Sequence, residues 1–291
     1  MWRAPIPMSA VTYAAAQILR ALPRARIGRA IGRLADRPWS PPVGRAVVGL
    51  YSWLYEVDLG ECLEHEGWTN FDAFFTRRLR GRMVDRDPRV ITSPADGRVE
   101  AMGPIEEGGA FRVKGRPYAV EELVGDHEEA RRFAGGAGCV VYLAPRDYHR
   151  VHAPVGGSVR RIRSIPGDFF PVNSIGMRHV AQLFCRNRRV AIEIDADGDI
   201  GRVTVIMVVA MIVGRITTMG IEAHDVPIGD HLFDPPLRVA RGDEIGVFHL
   251  GSTAVLLAEE RAAAGWLVRE GPVRYGQALL RARDAPDGGL G

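Results

Sequence analysis

The sequence predicts an α+β fold in which a helical N-terminal region is followed by a β-rich core. Two observations favour this class. Up to about residue 80, apolar residues recur at helical spacing in segments separated by prolines. From Val90 onward, short segments rich in valine and isoleucine alternate with glycine, proline and Asp-Gly turns, which is typical of β structure. With 291 residues, of which 46% are hydrophobic, the chain is long enough to bury a sizeable core.

The N-terminal region is expected to form consecutive helices that end at prolines, because proline cannot continue a helix. Their predicted ranges are 8–22, 24–36, 43–56 and 68–80. Asn70 is predicted to cap the last of them, since a short amide side chain can accept a hydrogen bond from the first turn.

Strands are predicted in the core wherever a short apolar segment is bounded by turn residues. The predicted strands are 97–102, 110–113, 139–143, 157–165, 190–195, 202–213, 216–221, 237–239, 245–250 and 253–258. A helix is expected near 119–134. The tetrapeptide Leu-Gly-Ser-Thr at 250–253 is interpreted as a bend that interrupts one buried strand.

The Gly251-Ser252 step is the strongest candidate for chemistry in the chain. Glycine adopts backbone angles forbidden to other residues, and here a hydroxyl follows it at once. Ser252 Oγ can therefore reach the carbonyl carbon of the preceding peptide bond. A serine hydroxyl is a poor nucleophile without a base, and the base works best when a carboxylate orients it. An ordinary bend in a strand is the alternative interpretation.

Charge is distributed unevenly along the chain. The first 50 residues carry eight arginines against one aspartate, a net charge of +7, within a chain whose total is +3. This asymmetry indicates a basic arm that faces an anionic surface. On a helix through 24–36, Ile27, Ile31 and Leu34 share one face and arginines form a separate stripe, as in helices that lie in a membrane interface. A surface helix packed on its own domain is the alternative.

Cysteine usage and hydropathy exclude several classes of protein. Cys62, Cys139 and Cys185 have no short spacing, which argues against a disulfide framework and against a cysteine metal knuckle. No apolar run approaches the ~20 residues that a membrane-spanning helix needs.

Five sequence segments are informative about the family because they occur together and in one order. They are SPADGRV at 93–99, KGRPYAVEELVG at 114–125, LAPRDYHRVHAP at 143–154, PGDFFPVN at 166–173 and HLGST at 249–253. In this order the set resembles the phosphatidylserine decarboxylases, which are pyruvoyl-dependent enzymes that make phosphatidylethanolamine. The resemblance runs from about Phe71 to about Gln277.

The resemblance implies a self-cleaving proenzyme. Ser252 Oγ attacks the carbonyl of Gly251, the chain separates between 251 and 252, and Ser252 becomes a covalent pyruvoyl group that serves as the cofactor. Asp96, His152 and Ser252 occupy the positions of the family's relay for this step. The alternatives are that Asp96 only forms a turn and that His152 is a structural histidine. The two products, 1–251 and 252–291, are expected to remain associated.

The resemblance also implies the second reaction. The pyruvoyl ketone forms a Schiff base with phosphatidylserine, withdraws electrons as carbon dioxide leaves, and a proton then reaches the α-carbon. We assign that proton to His149, with His152, Tyr148 or His249 as alternatives. Phe170 and Asn173 are expected to contact the substrate, and no metal is required.

The predicted organisation follows from these assignments. Residues 1–80 form a membrane-associating helical region and residues 81–291 form the decarboxylase core. The enzyme is expected to bind the cytoplasmic side of the cell membrane peripherally, on an anionic lipid surface. A homodimer is compatible with the sequence, and no nucleic-acid partner is expected.

Two other functional classes remain open from the sequence. A metal-dependent hydrolase could use His149 and His152, with a second cluster of histidines and aspartates at 224–231, because their spacing suits metal ligands. That interpretation gives Gly251-Ser252 no role. A non-enzymatic membrane-binding β module is the third class, and it requires no cleavage.

Overall fold

The computed structural model describes residues 24–172, 177, 179–210 and 215–283, although the side chains of 24–27 and 29 are outside the description. It confirms the α+β class: helices α1 (Arg24–Ala35), α2 (Pro41–Tyr55) and α3 (Phe71–Phe75) precede a core of strands. The predicted helix at 8–22 lies outside the described residues. None of the described helices is long and apolar enough to cross a membrane.

The helix ends follow from local chemistry. Two prolines open α2, where their missing N–H groups cost nothing, and Glu56 closes it in the left-handed region at φ 56°. Asn70 caps α3 as predicted, accepting a hydrogen bond from Ala73 N at 2.8 Å. The prediction of a helix through residue 80 was wrong, because the chain after α3 pairs with Cys62 and Glu61 in extended conformation.

The prediction of one continuous helix near 119–134 was wrong. Two short helices, α4 (Val120–Val124) and α5 (His127–Arg131), stand in its place. Gly125 separates them with φ of 70°, a left-handed angle that ends α4. Asp126 then caps α5 by accepting from Glu129 N. Further along the described part of the chain lie α6 (Leu183–Arg186) and a 3₁₀ turn at Glu260–Ala262.

Each predicted strand overlaps an observed one, although the strand predicted at 237–239 begins eight residues earlier, at Gly229. The strands at 90–92, 116–119, 150–152, 265–266, 271–273 and 278–281 were not predicted. In chain order the observed strands are β1 (Val90–Thr92), β2 (Gly97–Pro104), β3 (Ala110–Val113), β4 (Arg116–Ala119), β5 (Ala137–Leu143), β6 (Arg150–His152), β7 (Gly157–Ile165), β8 (Arg189–Ala196), β9 (Arg202–Val209), β10 (Arg215–Thr218), β11 (Gly229–Val239), β12 (Glu244–His249), β13 (Ser252–Ala258), β14 (Gly265–Trp266), β15 (Gly271–Val273) and β16 (Ala278–Arg281). Within the described residues, the largest sheet has the order β11-β7-β8-β9-β13-β5-β2-β15 and smaller sheets flank it.

The sheet is antiparallel, and its middle strands are buried on both faces. Every residue of β13 is buried, and most of β5, β8 and β9 is buried with it. Such strands have continuous apolar sequences instead of the alternation of half-exposed strands. This explains why the strands predicted at 202–213 and 253–258 were recognisable from composition alone, although the first ends at Val209 and 211–213 lie outside the described residues.

The prediction of one strand interrupted at 250–251 was wrong. β12 belongs to a three-stranded sheet of order β10-β12-β6, whereas β13 lies in the middle of the eight-stranded sheet. Leu250 and Gly251 are therefore the whole connection between two different sheets. A periodicity argument cannot distinguish a bend within a strand from a crossing of this kind, because both place apolar residues on either side of glycine.

The N-terminal helices pack on the core through aromatic side chains. The Tyr51 ring of α2 contacts Phe71, Phe74 and Phe75 of α3 at centroid distances of 5.1–6.5 Å. Its hydroxyl donates to the carbonyl of Pro145, just after β5, at 3.1 Å. This contact fixes both helices beside the chain segment that leads to residues 149–152.

Candidate active site

Ser252 is the first residue of β13, and its hydroxyl is buried without a hydrogen-bond partner. The residue pairs with Leu143 of β5 on one side and Val209 of β9 on the other, and 1% of its surface is exposed. A buried polar group without a partner typically costs about 1–3 kcal/mol, so this serine is not at a position chosen for stability.

The two residues before Ser252 have unusual backbone angles. Leu250 has φ of 84° and Gly251 has φ of 29°. Glycine tolerates such values, but a leucine there is strained, and strain of this kind collects at functional sites where the surroundings enforce it. The bond between Gly251 and Ser252 thus lies between a strained turn and a rigid, doubly paired strand.

Asp96 and Ser252 lie at the same end of the strands of the eight-stranded sheet. β2 pairs with β5 and β5 pairs with β13, so that Arg98, Tyr142 and Thr253 lie in one row. Asp96 therefore lies about two strand spacings, roughly 10 Å, from the backbone of Ser252. Glycine is required at 97, because a Cβ there would lie 2.2 Å from the carbonyl oxygen of Tyr142.

The Asp96 carboxylate is held by two groups. Arg82 Nη1 donates to both carboxylate oxygens at 2.6 Å, and Tyr275 N donates to Oδ1 at 2.9 Å. Arg82 also pairs with Glu61 through its other terminal nitrogen. The carboxylate is buried, so this arginine supplies the counter-charge that burial demands.

His152 is buried beside Asp96 as a neutral imidazole. Its Nδ1 donates to the carbonyl of Gly242 at 2.7 Å, so its Nε2 accepts from the Tyr148 hydroxyl at 3.1 Å. Burial lowers the pKa of His152 below its usual value, which agrees with this tautomer. The ring stacks on Tyr275 with a centroid distance of 4.0 Å.

The expected relay is not hydrogen-bonded in this structure. Asp96 is bound by Arg82 and Tyr275, His152 is bound by Gly242 and Tyr148, and Ser252 Oγ is unpartnered. Asp96 and His152 are nevertheless neighbours, because Tyr275 contacts both of them and His152 N donates to Pro94 O at 2.7 Å. Their part in one relay with Ser252 stays a prediction.

One ring nitrogen of His149, Nε2, has no hydrogen-bond partner. The other, Nδ1, donates to the carbonyl of Asp147 at 2.8 Å, and the ring lies 4.1 Å from that of Phe75. Full burial lowers the pKa of His149 to about 3, and the nearby Arg77 cation adds to this effect. His149 is therefore neutral, with the Nε2 lone pair free to take a proton.

The two side chains considered as alternatives to His149 are already engaged. The Tyr148 hydroxyl is bound to His152, and burial raises the pKa of Tyr148 further above its usual value. His249 is held at both ring nitrogens, Nδ1 by the Asp72 carboxylate at 2.9 Å and Nε2 by the Thr217 hydroxyl at 3.1 Å.

The structure connects Phe170 to the strand beside Ser252 through Asn187, a residue that the sequence did not indicate. Asn187 Oδ1 accepts from Phe170 N at 2.9 Å, and its Nδ2 donates to Phe170 O and Val209 O at 2.8 Å. Phe170 and Asn187 are both buried. Asn173, the other expected substrate contact, lies outside the described residues. Asn187 lies among arginines at 186–189, and nothing in that pattern predicts its role.

An apolar groove of about 590 Å³ ends at the Leu250–Gly251 turn. The N-terminal helices and the chain after β5 form its walls. Its lining includes Ile31, Leu34, Val47, Tyr51, Tyr55, Phe71, Phe75, Pro145, Leu250 and Gly251. A groove of this chemistry accommodates hydrocarbon better than a polar ligand.

The residues considered as metal ligands do not converge. Across the part of the chain that the structure describes, no three His, Cys, Asp or Glu side chains come together as a metal site. His224 and Asp225 instead bind Arg215 and Arg188, and Asp230 pairs with Arg163.

A family model for phosphatidylserine decarboxylase matches residues 71–281. This chain belongs to the phosphatidylserine decarboxylase family. The phosphatidylserine decarboxylase proenzyme of Azotobacter vinelandii is 38% identical over 277 residues, which cover 90% of this chain and 95% of the relative. The proenzyme of Myxococcus xanthus is 36% identical over 273 residues, covering 90% and 96%.

Membership of the phosphatidylserine decarboxylase family confirms the predicted resemblance and makes this chain a decarboxylase. The matched residues begin at α3 and end with β16, so they include both sheets that meet at Leu250–Gly251. Helices α1 and α2 lie before them.

Proposed function

We propose that this chain is a self-processing phosphatidylserine decarboxylase that converts Ser252 into a pyruvoyl group and forms phosphatidylethanolamine and carbon dioxide. One observation carries the proposal: the buried Ser252 Oγ has no partner and directly follows a turn with two positive φ angles. The relatives named as proenzymes support it, because a proenzyme requires a processing step.

The first reaction is an intramolecular acyl shift followed by elimination. Ser252 Oγ bonds to the carbonyl carbon of Gly251 as the Gly251-Ser252 amide bond breaks, which gives an ester and frees the Ser252 amine. Loss of the Ser252 α-proton then breaks the Cβ–O bond and leaves a carboxylate on Gly251. The resulting enamine takes a proton at Cβ and becomes an imine, which water hydrolyses, releasing ammonia and leaving the pyruvoyl group on residues 252–291. Intramolecular placement alone is worth effective molarities of about 10⁵–10⁸ M.

A base must take the hydroxyl proton of Ser252. His152 with Asp96 is the relay implied by the family, and the neutral state of His152 suits that role. Its Nε2 becomes available when the Tyr148 hydroxyl gives up the bond that it donates in this structure. The Asp96 carboxylate, which is paired with Arg82, can stabilise the imidazolium that forms.

The residues around Ser252 fit a pyruvoyl group. Only the unpartnered Oγ and the amine of Ser252 are consumed in forming it, so no hydrogen bond of this structure is lost at that side chain. When present, the group supplies an electron sink for decarboxylation through a Schiff base with the substrate amine.

The substrate is proposed to lie with its acyl region in the apolar groove and its headgroup at the Leu250–Gly251 end. Phe170, held through Asn187 to the strand beside Ser252, is proposed to contact the substrate near that strand. His149 is proposed to take, at its unpartnered Nε2, the proton that the substrate ammonium releases, and to return it to the substrate α-carbon after carbon dioxide leaves.

We further propose that the enzyme works at the cytoplasmic face of the cell membrane as a peripheral protein. Helix α2 exposes large apolar side chains on its outer surface, including Leu50 at 63%, Trp53 at 78% and Leu54 at 60%. In α1, Leu34 is exposed and Ile31 is half-buried against the core. The membrane contact predicted for residues 24–36 is thus extended to α2. A +7 charge in the first 50 residues favours an anionic surface.

The proposal is tested by carbon dioxide release from carboxyl-labelled phosphatidylserine in mixed vesicles. Wild-type enzyme is expected to release label, and Ser252→Ala protein is expected to release none. Addition of zinc or a chelator is expected to leave the rate unchanged. A Ser252→Ala protein that releases label at the wild-type rate rules out the pyruvoyl mechanism.

A further inference from the structure

A cluster of charged side chains lies directly before the cleavage turn. His249 is the last residue of β12 and precedes Leu250. Its Nδ1 lies 2.9 Å from both carboxylate oxygens of Asp72, and its Nε2 lies 3.1 Å from Thr217 Oγ1. A carboxylate only accepts, so Nδ1 carries the proton and the ring is fixed from both ends.

The second half of the cluster is Arg215, the direct cross-strand neighbour of His249 in β10. Its Nη2 donates to Asp72 Oδ2 at 2.7 Å, and its two terminal nitrogens donate to the carboxylate of Asp36 at 2.6 and 2.9 Å. His224 Nε2 accepts from Nη1 at 2.7 Å. Asp36 follows α1, so the arginine also binds that helix to the core.

Asp72 links the cluster to the N-terminal helices. It lies on α3 between Phe71 and Phe75, which both line the apolar groove. Its carboxylate is 13% exposed and joins α3 to the end of β12. The N-terminal helices are therefore attached one residue before the strained Leu250.

A strained residue persists only when its surroundings fix the chain on both sides. After the turn, Ser252 is paired with Leu143 and Val209. Before the turn, backbone pairing of His249 with Arg215 is reinforced by the Asp72 carboxylate. Loss of that carboxylate leaves Leu250 free to relax toward ordinary backbone angles.

We propose that Asp72 is a positioning residue for self-cleavage: through His249 it holds the Leu250–Gly251 turn in the geometry that presents the scissile carbonyl to Ser252. This inference rests on the proposed function. It follows that the chain matures only after α3 has docked on the core, so that cleavage reports completed folding of the N-terminal region.

The test follows the cleavage of newly synthesised chains by gel and intact mass for wild type, Asp72→Asn and Asp72→Ala. The asparagine variant keeps an acceptor for His249, whereas the alanine variant removes it. We expect cleavage rates in the order wild type, Asn, Ala, with Ala slower than wild type by about 10- to 100-fold, the effect of losing one hydrogen bond to a charged group. The double variant Asp72→Ala/His249→Gln should be no slower than the slower single variant.

Two comparisons separate positioning from general stability. Asp126→Asn removes a part-buried aspartate that pairs with Arg161 and Arg163 far from the turn, and it serves as the matched control. Thermal unfolding of each variant is measured with Ser252→Ala added, so that all chains are uncleaved. The fall in cleavage rate in Asp72→Ala should also exceed, by at least about tenfold, any fall in turnover per mature site.

The outcomes are distinct. Cleavage of Asp72→Ala at the wild-type rate overturns the inference and leaves the proposed function intact. Slow cleavage that matches Asp126→Asn at equal loss of thermal stability also overturns it. If the alanine variant does not fold, the asparagine variant tests the inference. Cleavage of Asp72→Asn at the wild-type rate, with a wild-type melting temperature, contradicts a role for the carboxylate charge. A wild-type chain that never cleaves removes the proposed function itself.

Discussion

Arg82 and Asp96 form an ion pair just before strand β2 of the main sheet, in which one arginine nitrogen contacts both carboxylate oxygens. Both contacts are 2.6 Å long, and both side chains are mostly buried. The same arginine reaches Glu61, which in turn pairs with Arg274. The carboxylate expected to serve the cleavage relay is thus held by a cation whose importance no local sequence pattern indicates.

Arg82→Gln is predicted to destabilise the protein by about 3–5 kcal/mol, because it leaves the Asp96 carboxylate buried without a counter-charge. The free energy of unfolding is measured by urea titration with Ser252→Ala added. Arg238→Gln is the control, since its pair with Asp197 is exposed on both sides and should contribute little to stability. Equal losses in the two variants would contradict the assigned role of Arg82.

Asn187→Leu is predicted to cost several kcal/mol and to lower decarboxylation. The change removes the hydrogen bonds that Asn187 makes to Phe170 N, Phe170 O and Val209 O, and a buried polar group that loses its partner costs about 1–3 kcal/mol. Stability is measured as above and activity on vesicles. The comparison is Asn70→Ala, which removes a helix cap worth about 1 kcal/mol and a 3.3 Å hydrogen bond to Asp36 O. A leucine variant with normal substrate turnover would exclude Phe170 from the substrate site.

Stability is predicted to fall as pH drops below about 6.5. Burial lowers the folded-state pKa of His149 and His152, so the unfolded chain binds more protons below the ordinary histidine value of 6.5. Their contribution is complete above that pH and is lost as pH falls toward the folded value, about 3 for His149. Each of these two histidines can change the free energy of unfolding by up to about 1.4 kcal/mol per pH unit.

The histidine contribution is isolated by comparing unfolding free energies between pH 6.5 and 5 for the uncleavable chain and for its His149→Gln/His152→Gln derivative. The derivative should show a shallower slope. Identical slopes would mean that these imidazoles are protonated, or solvated, in the folded protein.

Replacement of Leu50, Trp53 and Leu54 by serine is predicted to weaken vesicle binding by at least about tenfold, since these exposed side chains would lose their insertion into lipid. Binding is measured by flotation at several salt concentrations and anionic lipid fractions. The control replaces Met83, Ile228 and Leu232, which are exposed at other places on the protein. If both triple variants float equally, α2 is not the membrane contact.

Much of the fold followed from the sequence because burial and local chemistry agree there. The limits of β3 and β7 were predicted to the residue, and the Asn70 cap followed from its amide. The crossing at Leu250–Gly251 was missed, because strand pairing depends on partners more than 40 residues away in sequence, such as Val209.

The site was predictable only in part, for the same physical reason. The order of motifs indicated Asp96, His149, His152 and Ser252, but single residues whose partners are distant carry no local signal. Asp72 meets His249 across 177 positions, and Arg82 looks like any surface arginine in a basic stretch. Three-dimensional contacts were needed to find both.

The central claim is that Ser252 cleaves its own chain and becomes the pyruvoyl group. Intact mass measurement of purified wild-type and Ser252→Ala protein tests it most directly. For wild type, the account predicts residues 1–251 and a 40-residue partner, 252–291, whose mass is lower than that of a serine-initiated peptide by one ammonia. The alanine variant should give one 291-residue chain. A serine-initiated fragment, or cleavage of the alanine variant at the same bond, would contradict the account.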